Sequence, residues 1–379
     1  MSEPIPAALP VTFNPMLISW NDQVGQALSW VALKLQWGMH YSSEQVLHAY
    51  SAILPGEFGN FESEEIEMLV RVARVALTVL FAPLTLALTF CGVALELVAN
   101  CFKSSPCTYI KGESEGEAPK NKYRLLTLNA CMFWGGLPIP FGGVRPASER
   151  VEQVADFLKY MNSDLVVMQE VSFGPARALI EKLKGDYAHF YTQIGPNTGR
   201  MESCLFLASK QPILREPIFV EFPDQNGIKR GFFCVETPKS WVITTHMEAG
   251  NNPEMRRAQL ALITQKIPEL KQLSNKPCFL LGDLNIHRTL DVGSEYLASG
   301  LQENYFNPLT QPEDHDTCTD LHTARVMGRE RPVPSGQAVD YALVDERSLA
   351  EHPLNLSARL VNTLDISDHY SIILEVEHN

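Results

Sequence analysis

Basic residues are scarce in this chain: 31 Lys and Arg stand against 44 Asp and Glu, a formal net charge of −13 over 379 residues. The acidic excess runs along the whole sequence, and no basic stripe interrupts it. Proteins that hold polyanions carry a surplus of Lys and Arg to neutralise phosphates, so no nucleic acid partner is expected. The eight cysteines never fall in C-x-x-C spacing, which excludes the common zinc and dithiol motifs. Cys131, Cys204, Cys234 and Cys278 instead sit in or beside apolar, strand-like segments, where a thiol packs as a small hydrophobe. Reduced thiols, and a reducing compartment such as the cytosol for the part that carries them, are the expectation. The opening "MSEPIPAALPVTF" has neither a basic n-region nor an apolar h-region, so it does not read as a signal peptide. Internal repeats are absent.

What the chain does have is one long apolar run. Between Arg74 and Glu96 lie 21 residues without a charge, enough to cross bilayer hydrocarbon at about 1.5 Å per residue. Pro83 near its middle permits a kink. Upstream, Leu17, Trp20, Val24, Ala27, Trp30 and Val31 recur at helical spacing and predict an amphipathic helix over 16–37. Ser42 and Gln45 stand in capping-box spacing and predict a second helix start. Residues 1–102 therefore read as a helical, membrane-associating region with its apolar segment at about 75–95. The polar stretch 103–122, rich in Ser, Gly, Glu and Lys, reads as a linker. Cys101 and Cys107 flank the apolar segment at positions where thiols are sometimes acylated.

From residue 123 to 379 the pattern becomes α/β. "YRLLTLNAC", "DLVVMQEV", "ESCLFLAS", "RGFFCVET", "KSWVITTHM", "KPCFLLGDLN", "QAVDYALV" and "YSIILEVE" read as strands. "ASERVEQVADFLKYM" and "NPEMRRAQLALITQKIPELKQL" read as helices. Many strands with few crossover helices imply two packed sheets with helices outside.

Several of these strands end on polar residues suited to metal or phosphate chemistry. Asn129 follows "LLTL", Glu170 follows "LVVMQ", His246 follows "VITT", and Asp283 and Asn285 follow "FLLG". Asp340 opens "DYALV", and Asp368 and His369 precede "YSIILEV". Together they fit phosphodiester hydrolysis. That reaction needs a hard cation on oxygen ligands, a base poised near neutrality and oriented by a carboxylate, and donors for the non-bridging oxygens. Asp283 can polarise the attacking water, while the uncharged Asn285 can donate to a phosphoryl oxygen without repelling it.

The motifs "LNA", "QEV", "TTH", "GDLN", "VDY" and "SDH", in this order, resemble those of the endonuclease/exonuclease/phosphatase superfamily, and the neutral sphingomyelinase branch in particular. The resemblance spans about residues 123–379. It implies a four-layer α/β/β/α sandwich as the catalytic domain. It also implies Mg2+, with Mn2+ as a substitute, bound by Glu170 with Asn129 close by and Asp368 assisting. His369 becomes the general base paired with Asp340, Asp283 and Asn285 serve nucleophile and phosphate, and His246 stabilises the transition state or leaving group. The expected substrate is a phospholipid or sphingolipid in a membrane: sphingomyelin, cleaved to ceramide and phosphocholine. In the unusual loop "FWGGLPIPFGG", Trp134 and Phe141 are candidates for lipid contact. Rival readings are an inositol-polyphosphate or phosphoinositide 5-phosphatase, whose P-S-W-C-D-R element is absent from "VPSGQAVDY", a nuclease, and a membrane-bound binding module without catalysis.

Overall fold

A computed structural model describes residues 19–51, 64–103, 105–117, 120–133, 136, 144–195, 203–223, 230–289, 293–309, 317–318, 337–363 and 366–379. Two long helices come first, α1 (Trp20–Ser51) and α2 (Glu64–Phe102). Ser19 precedes helix α1, its hydroxyl accepting from the Asp22 amide at 3.1 Å, and the helix continues unbroken past Ser42. The expected second start there is corrected, because a capping-box spacing inside an already running helix has no free amides to satisfy. Helix α2 likewise runs through Pro83.

The two helices lie antiparallel along a seam of small and polar residues. Asp22, Gly25, Ser29 and Ala32, three and four positions apart, are buried on α1, opposite Gly92 and Ala99 on α2. A Cβ added at Gly92 would come within 2.8 Å of the Ala32 carbonyl oxygen, so glycine is what permits this approach. Glu96, the first charge after the apolar run, accepts from the Ser29 hydroxyl at 2.8 Å and from Lys103 Nζ at 3.2 Å. The large apolar residues face the other way. Trp20 and Phe90 are each 76% exposed, and Trp30, Val31, Leu80 and Leu84 are exposed too. The apolar stripe read from α1 is therefore not its packing face, because small residues let two helices approach more closely than Trp or Val can.

Two sheets follow. The first has seven strands in the order β1 (Thr108–Lys111), β4 (His189–Thr192), β5 (Phe206–Ser209), β3 (Leu165–Val171), β2 (Lys122–Met132), β13 (Ser371–His378) and β12 (Leu354–Val361). The second has six: β10 (Tyr305–Phe306), β11 (Asp340–Asp345), β9 (Cys278–Asp283), β8 (Trp241–His246), β7 (Gly231–Glu236) and β6 (Ile218–Glu221). Strand β1 corrects the linker reading in part: residues 108–111 pair with β4 as the edge of the first sheet. Each sheet holds one central parallel pair, β2 with β3 and β8 with β9. Helices α3 (Ala147–Met161) and α5 (Pro253–Leu273) make the crossovers that parallel neighbours require. Helix α5 is set by Asn252, whose side chain accepts from the Met255 amide at 3.3 Å, and by Pro253 in its first turn. Helix α4 (Phe173–Leu183) packs beside α3, and the short helices α6 (Glu295–Ala298), α7 (Leu301–Asn304) and α8 (Glu346–Glu351) border the second sheet.

Three apolar layers account for the architecture. One joins α3 and α4 to the first sheet, with Val154, Leu158, Leu179 and Ile373. One lies between the sheets, with Leu125, Val167, Phe233, Val242, Phe279 and Leu374. One joins α5 to the second sheet, with Trp241, Ile263, Ile267 and Leu280. Three cores between four layers define the α/β/β/α sandwich. None of the eight cysteines is in a disulfide. Cys107 is buried, and burial pushes its thiol up to about 12, whereas Cys101 is exposed. Of the two flanking thiols, only Cys101 is accessible for acylation.

The inter-sheet layer generates a stability prediction. Phe279 is fully buried in it, so Phe279→Ala is expected to cost about 3–5 kcal/mol. Chemical denaturation followed by the far-ultraviolet signal measures this, and a shift under about 1 kcal/mol would show that the layer is not close-packed.

Candidate active site

The site forms where the central strands of both sheets end on the same side. The first sheet supplies Asn129 from β2, Glu170 from β3, and Asp368 and His369 from the turn before β13. The second supplies His246 at the end of β8, Asp283 at the end of β9 and Asp340 at the start of β11. Register brings the latter three together: His246 sits opposite Asp283, and Asp283 opposite Asp340. Inter-sheet packing then joins the two groups. Asn129 Nδ2 donates to Asp283 Oδ2 at 3.1 Å, and His369 Nδ1 lies 2.8 Å from Asp340 Oδ2. His246 Nε2 stands 3.7 Å from Asp283 Oδ2 and 3.9 Å from Glu170 Oε1. All eight residues read from the strand ends thus meet at one place. Trp134 and Phe141 lie outside the described residues.

The backbone is bent to make this happen. Pairing of β2 with β3 shifts register between Asn129 and Met132, and Cys131 and Glu170 adopt φ of 48° and 59°. A bulge with left-handed residues re-aims side chains at a strand end, and such strain is typical of functional sites. Gly282 has φ of 147°, and a Cβ there would lie 2.0 Å from the Thr245 carbonyl oxygen. Only glycine lets β8 and β9 approach closely enough to set His246 beside Asp283. Asn285, at φ 54°, donates its backbone amide to Asp283 Oδ1 at 2.9 Å. Its side-chain amide donates to the Met247 carbonyl at 3.2 Å, so one N–H is already engaged in holding the loop.

Supporting residues that the sequence did not single out hold these groups in place. Arg150 on α3 is buried and donates to the carbonyls of Ala130, Cys131, Arg145 and Ile366, tying the β2 bulge to the turn that carries Asp368. Thr317 Oγ1 accepts from the amides of Val339 and Asp340 at 3.0 Å, fixing the start of β11. Ser367 donates to the Asn129 carbonyl at 2.6 Å. Arg256 clamps both carboxylate oxygens of Glu295 through Nε and Nη2 and donates from Nη1 to the carbonyls of Glu248 and Gly250, bracing the loop after His246. Apart from Ser367, which opens the SDH motif, nothing in their local pattern distinguishes these side chains from surface residues.

Burial and charge set the protonation states. Burial drives His246 down to about 4, outweighing the attraction of Asp283, so the ring is neutral at pH 7 and its contacts with the carboxylates are not ion pairs. Burial also disfavours a charged His369, yet the neighbouring Asp340 carboxylate overrides it and holds the ring well above the ordinary imidazole range. Asp283 is raised by burial and by the charge of Asp340. Glu170 is raised to about 7 by burial and by the charge of Asp368. Glu170, whose ionisation burial and the neighbouring Asp368 charge disfavour, forms with Asp368 and the Asn129 amide a hard-oxygen set that a divalent cation would relieve. The donor chemistry therefore fits Mg2+.

An α/β/β/α sandwich with carboxylates, amides and imidazoles gathered where its central strands end is the architecture of a phosphodiester-cleaving hydrolase. The profile of the Endonuclease/Exonuclease/phosphatase family matches residues 126–369, and the chain belongs to that family. Its fold is similar to that of sphingomyelinase C from Streptomyces griseocarneus, with 17% identity, a TM-score of 0.51, and 69% of this chain and 100% of that one covered. It is similar as well to D. rerio TDP2 complexed with a single-strand DNA product: 18% identity, TM-score 0.53, 68% and 100% covered. A third similar fold is a beta toxin mutant from Staphylococcus aureus with bound magnesium ions: 18% identity, TM-score 0.51, 68% and 100% covered. Comparison with curated protein sequences finds no match.

Cation binding and protonation should be linked at Glu170. Its carboxyl, lying at about 7, must ionise before it can ligate. Mg2+ affinity is therefore expected to fall as pH drops through 7, each bound ion releasing up to one proton there and none well above it. Calorimetric titration in buffers of different ionisation enthalpy measures the released protons. Glu170→Gln is expected to weaken binding and abolish the linkage, and pH-independent affinity in the parent protein would refute the assignment.

Proposed function

We propose that this protein is a membrane-associated, Mg2+-dependent phosphodiesterase that hydrolyses sphingomyelin to ceramide and phosphocholine. The observation that carries the lipid reading is the α1–α2 pair. Its seam is small and polar and its outer surface is large and apolar, the reverse of a hairpin folded for water. The candidate span covers Val75–Phe102, 28 residues of which only Gly92 and Ala99 are buried. At about 1.5 Å per residue that is about 42 Å, more than the ~30 Å of bilayer hydrocarbon. A phosphodiester-cleaving domain carried on such a hairpin would meet phosphodiesters in the membrane interface. The fold likeness to a sphingomyelinase C supports the same class of substrate. The likeness to TDP2 favours a second reading, a nucleic acid phosphodiester, against which the net charge of −13 weighs.

In this reading residues 1–102 form the membrane region and 123–379 the catalytic domain, joined by 103–122 with β1 docked on the first sheet. Glu170 and Asp368, with Asn129 alongside, would hold Mg2+, or Mn2+ in its place, which when bound supplies positive charge to the phosphoryl oxygens. In its neutral form, reached as pH rises through its raised pKa, His369, its Nδ1 held by Asp340, offers Nε2 to take a proton from the attacking water. Asp283 orients that water. Neutral His246 and the remaining N–H of Asn285 donate to phosphoryl or leaving-group oxygens as charge develops there. Trp134 and Phe141 remain proposed lipid contacts.

Assay of the purified chain with Mg2+ against sphingomyelin, phosphatidylcholine, phosphoinositides and DNA tests the proposal. Release of phosphocholine from sphingomyelin, stopped by EDTA, is expected. Inorganic phosphate released from inositol phosphates, or cleavage of DNA alone, would replace it with the corresponding rival. His369→Ala is expected to remove nearly all turnover. Asp340→Asn is expected to lower the plateau of kcat/KM by roughly 10²-fold or more. It should also move the rising limb of the pH profile to lower pH, since the charge that raises His369 is gone. A limb that stays in place would show that His369 is not the titrating base.

Removing residues 1–103 spares β1, and the truncated protein is expected to fold and to cleave detergent-dispersed substrate while losing vesicle binding in flotation assays. Vesicle binding equal to that of the full chain would refute the role given to the helices.

A further inference from the structure

Beside the catalytic cluster stands a second set of donors of different chemical character. Thr317 and Cys318 form a short segment pinned from both sides. Cys318 pairs in antiparallel fashion with Gln337 and with His369, its amide donating to the Gln337 carbonyl at 2.9 Å. The Tyr370 amide donates to the Thr317 carbonyl at 2.7 Å. This frame sets the Cys318 thiol against the turn that carries Asp368 and His369. One ligand atom from each of Cys318, Asp368 and His369 lies within 4.8 Å of the other two.

We infer that Cys318, Asp368 and His369 form an inhibitory site for a borderline-soft divalent cation, Zn2+ above all, which overlaps the hard-oxygen Mg2+ set around Glu170 only at Asp368. A thiolate, an imidazole and a carboxylate are the three donor types zinc takes, whereas Mg2+ avoids sulfur. With bonds of about 2.0–2.3 Å, tetrahedral zinc places its donors about 3.5 Å apart, so at most about 1.3 Å separates the present spacing from a closed shell. The orienting group is already present: Asp340 Oδ2 holds His369 Nδ1 at 2.8 Å. A carboxylate on the far nitrogen is the arrangement that fixes and strengthens zinc-ligating imidazoles, and it leaves Nε2 as the ligand atom. On binding, the thiol proton and the Nε2 proton of the charged ring leave to solvent as the sulfur–metal and nitrogen–metal bonds form, Nδ1–H staying on Asp340. Water or a phosphoryl oxygen completes the shell. The inhibition half of this inference rests on His369 being the base, because a metallated Nε2 cannot accept a proton from water. Asp368 is shared with the proposed Mg2+ set, so zinc also draws a ligand away from it.

The test uses the full chain and two readouts. Co2+ as a spectroscopic stand-in is expected to give thiolate-to-cobalt charge-transfer absorption in the parent protein and none in Cys318→Ala. Zn2+ added at saturating Mg2+ is expected to inhibit the parent. The zinc concentration for half-inhibition should rise by about tenfold or more in Cys318→Ala, each activity being referred to that protein's own zinc-free value. Circular dichroism checks that the variant is folded. Absence of the charge-transfer band in the parent protein, or equal zinc sensitivity with and without the thiol, overturns the inference while leaving the phosphodiesterase reading intact. A band lost with Cys318 in a protein that cleaves none of the phosphodiesters tried would keep the metal site and overturn the functional reading instead.

Discussion

Packing between the inner faces of the two sheets, through Val167, Phe233, Val242, Phe279 and Leu374, fixes the separation at which two sets of strand ends face each other, and the catalytic geometry depends on that separation. Each sheet by itself brings together only half of a site. The first has two carboxylates, an amide and an imidazole, and the second has an acid, Asp283, between an imidazole and a second acid. The contacts that join them, Asn129 to Asp283 and His369 to Asp340, are hydrogen bonds that tolerate displacements of only a few tenths of an ångström. A close-packed apolar layer holds such tolerances because its side chains cannot slide without opening voids.

That rigidity is set against an unfavourable charge arrangement. Glu170, Asp283, Asp340 and Asp368 crowd one end of the sandwich, and burial raises the carboxyls of Glu170 and Asp283. Left-handed backbone at Cys131, Glu170 and Asn285 adds strain, and Arg150, sunk beneath the bulge with four carbonyl partners, holds it. Such a cluster is costly to fold and is relieved when a cation binds, so affinity for the ion and preorganisation of the site arise from the same repulsion.

The two parts of the chain answer to different solvents under the membrane reading. In the sandwich, large apolar side chains are buried and polar ones gather at strand ends. In the hairpin the relation is inverted, with glycine, alanine, serine and a satisfied Glu96 inside and Trp, Phe and Leu outside. Water drives the first pattern through apolar burial. The second is stable where the surroundings are as apolar as the side chains and close backbone contact decides association.

The eight strands of the sandwich with strong apolar runs and the two crossover helices α3 and α5 were legible because burial on both faces, or on one helical stripe, writes itself into residue order. The strand-end polar residues were legible for the same reason: Asn129, Glu170, His246, Asp283, Asp340 and His369 each interrupt an apolar run. Strands β1, β4, β6, β10 and β12 were not, being two to four residues long or, like β12, half exposed along an edge. Nor were Arg150, Thr317 and Cys318, whose importance comes from partners distant in sequence. The apolar face of α1 was read correctly as a face, but whether it met protein or its surroundings depended on α2. Local order thus determined which residues carry chemistry and which strands bear them. Which acid lies against which imidazole, and which helix face is the seam, were decided only when the sheets and helices packed, because both are distances between segments that the chain itself leaves far apart.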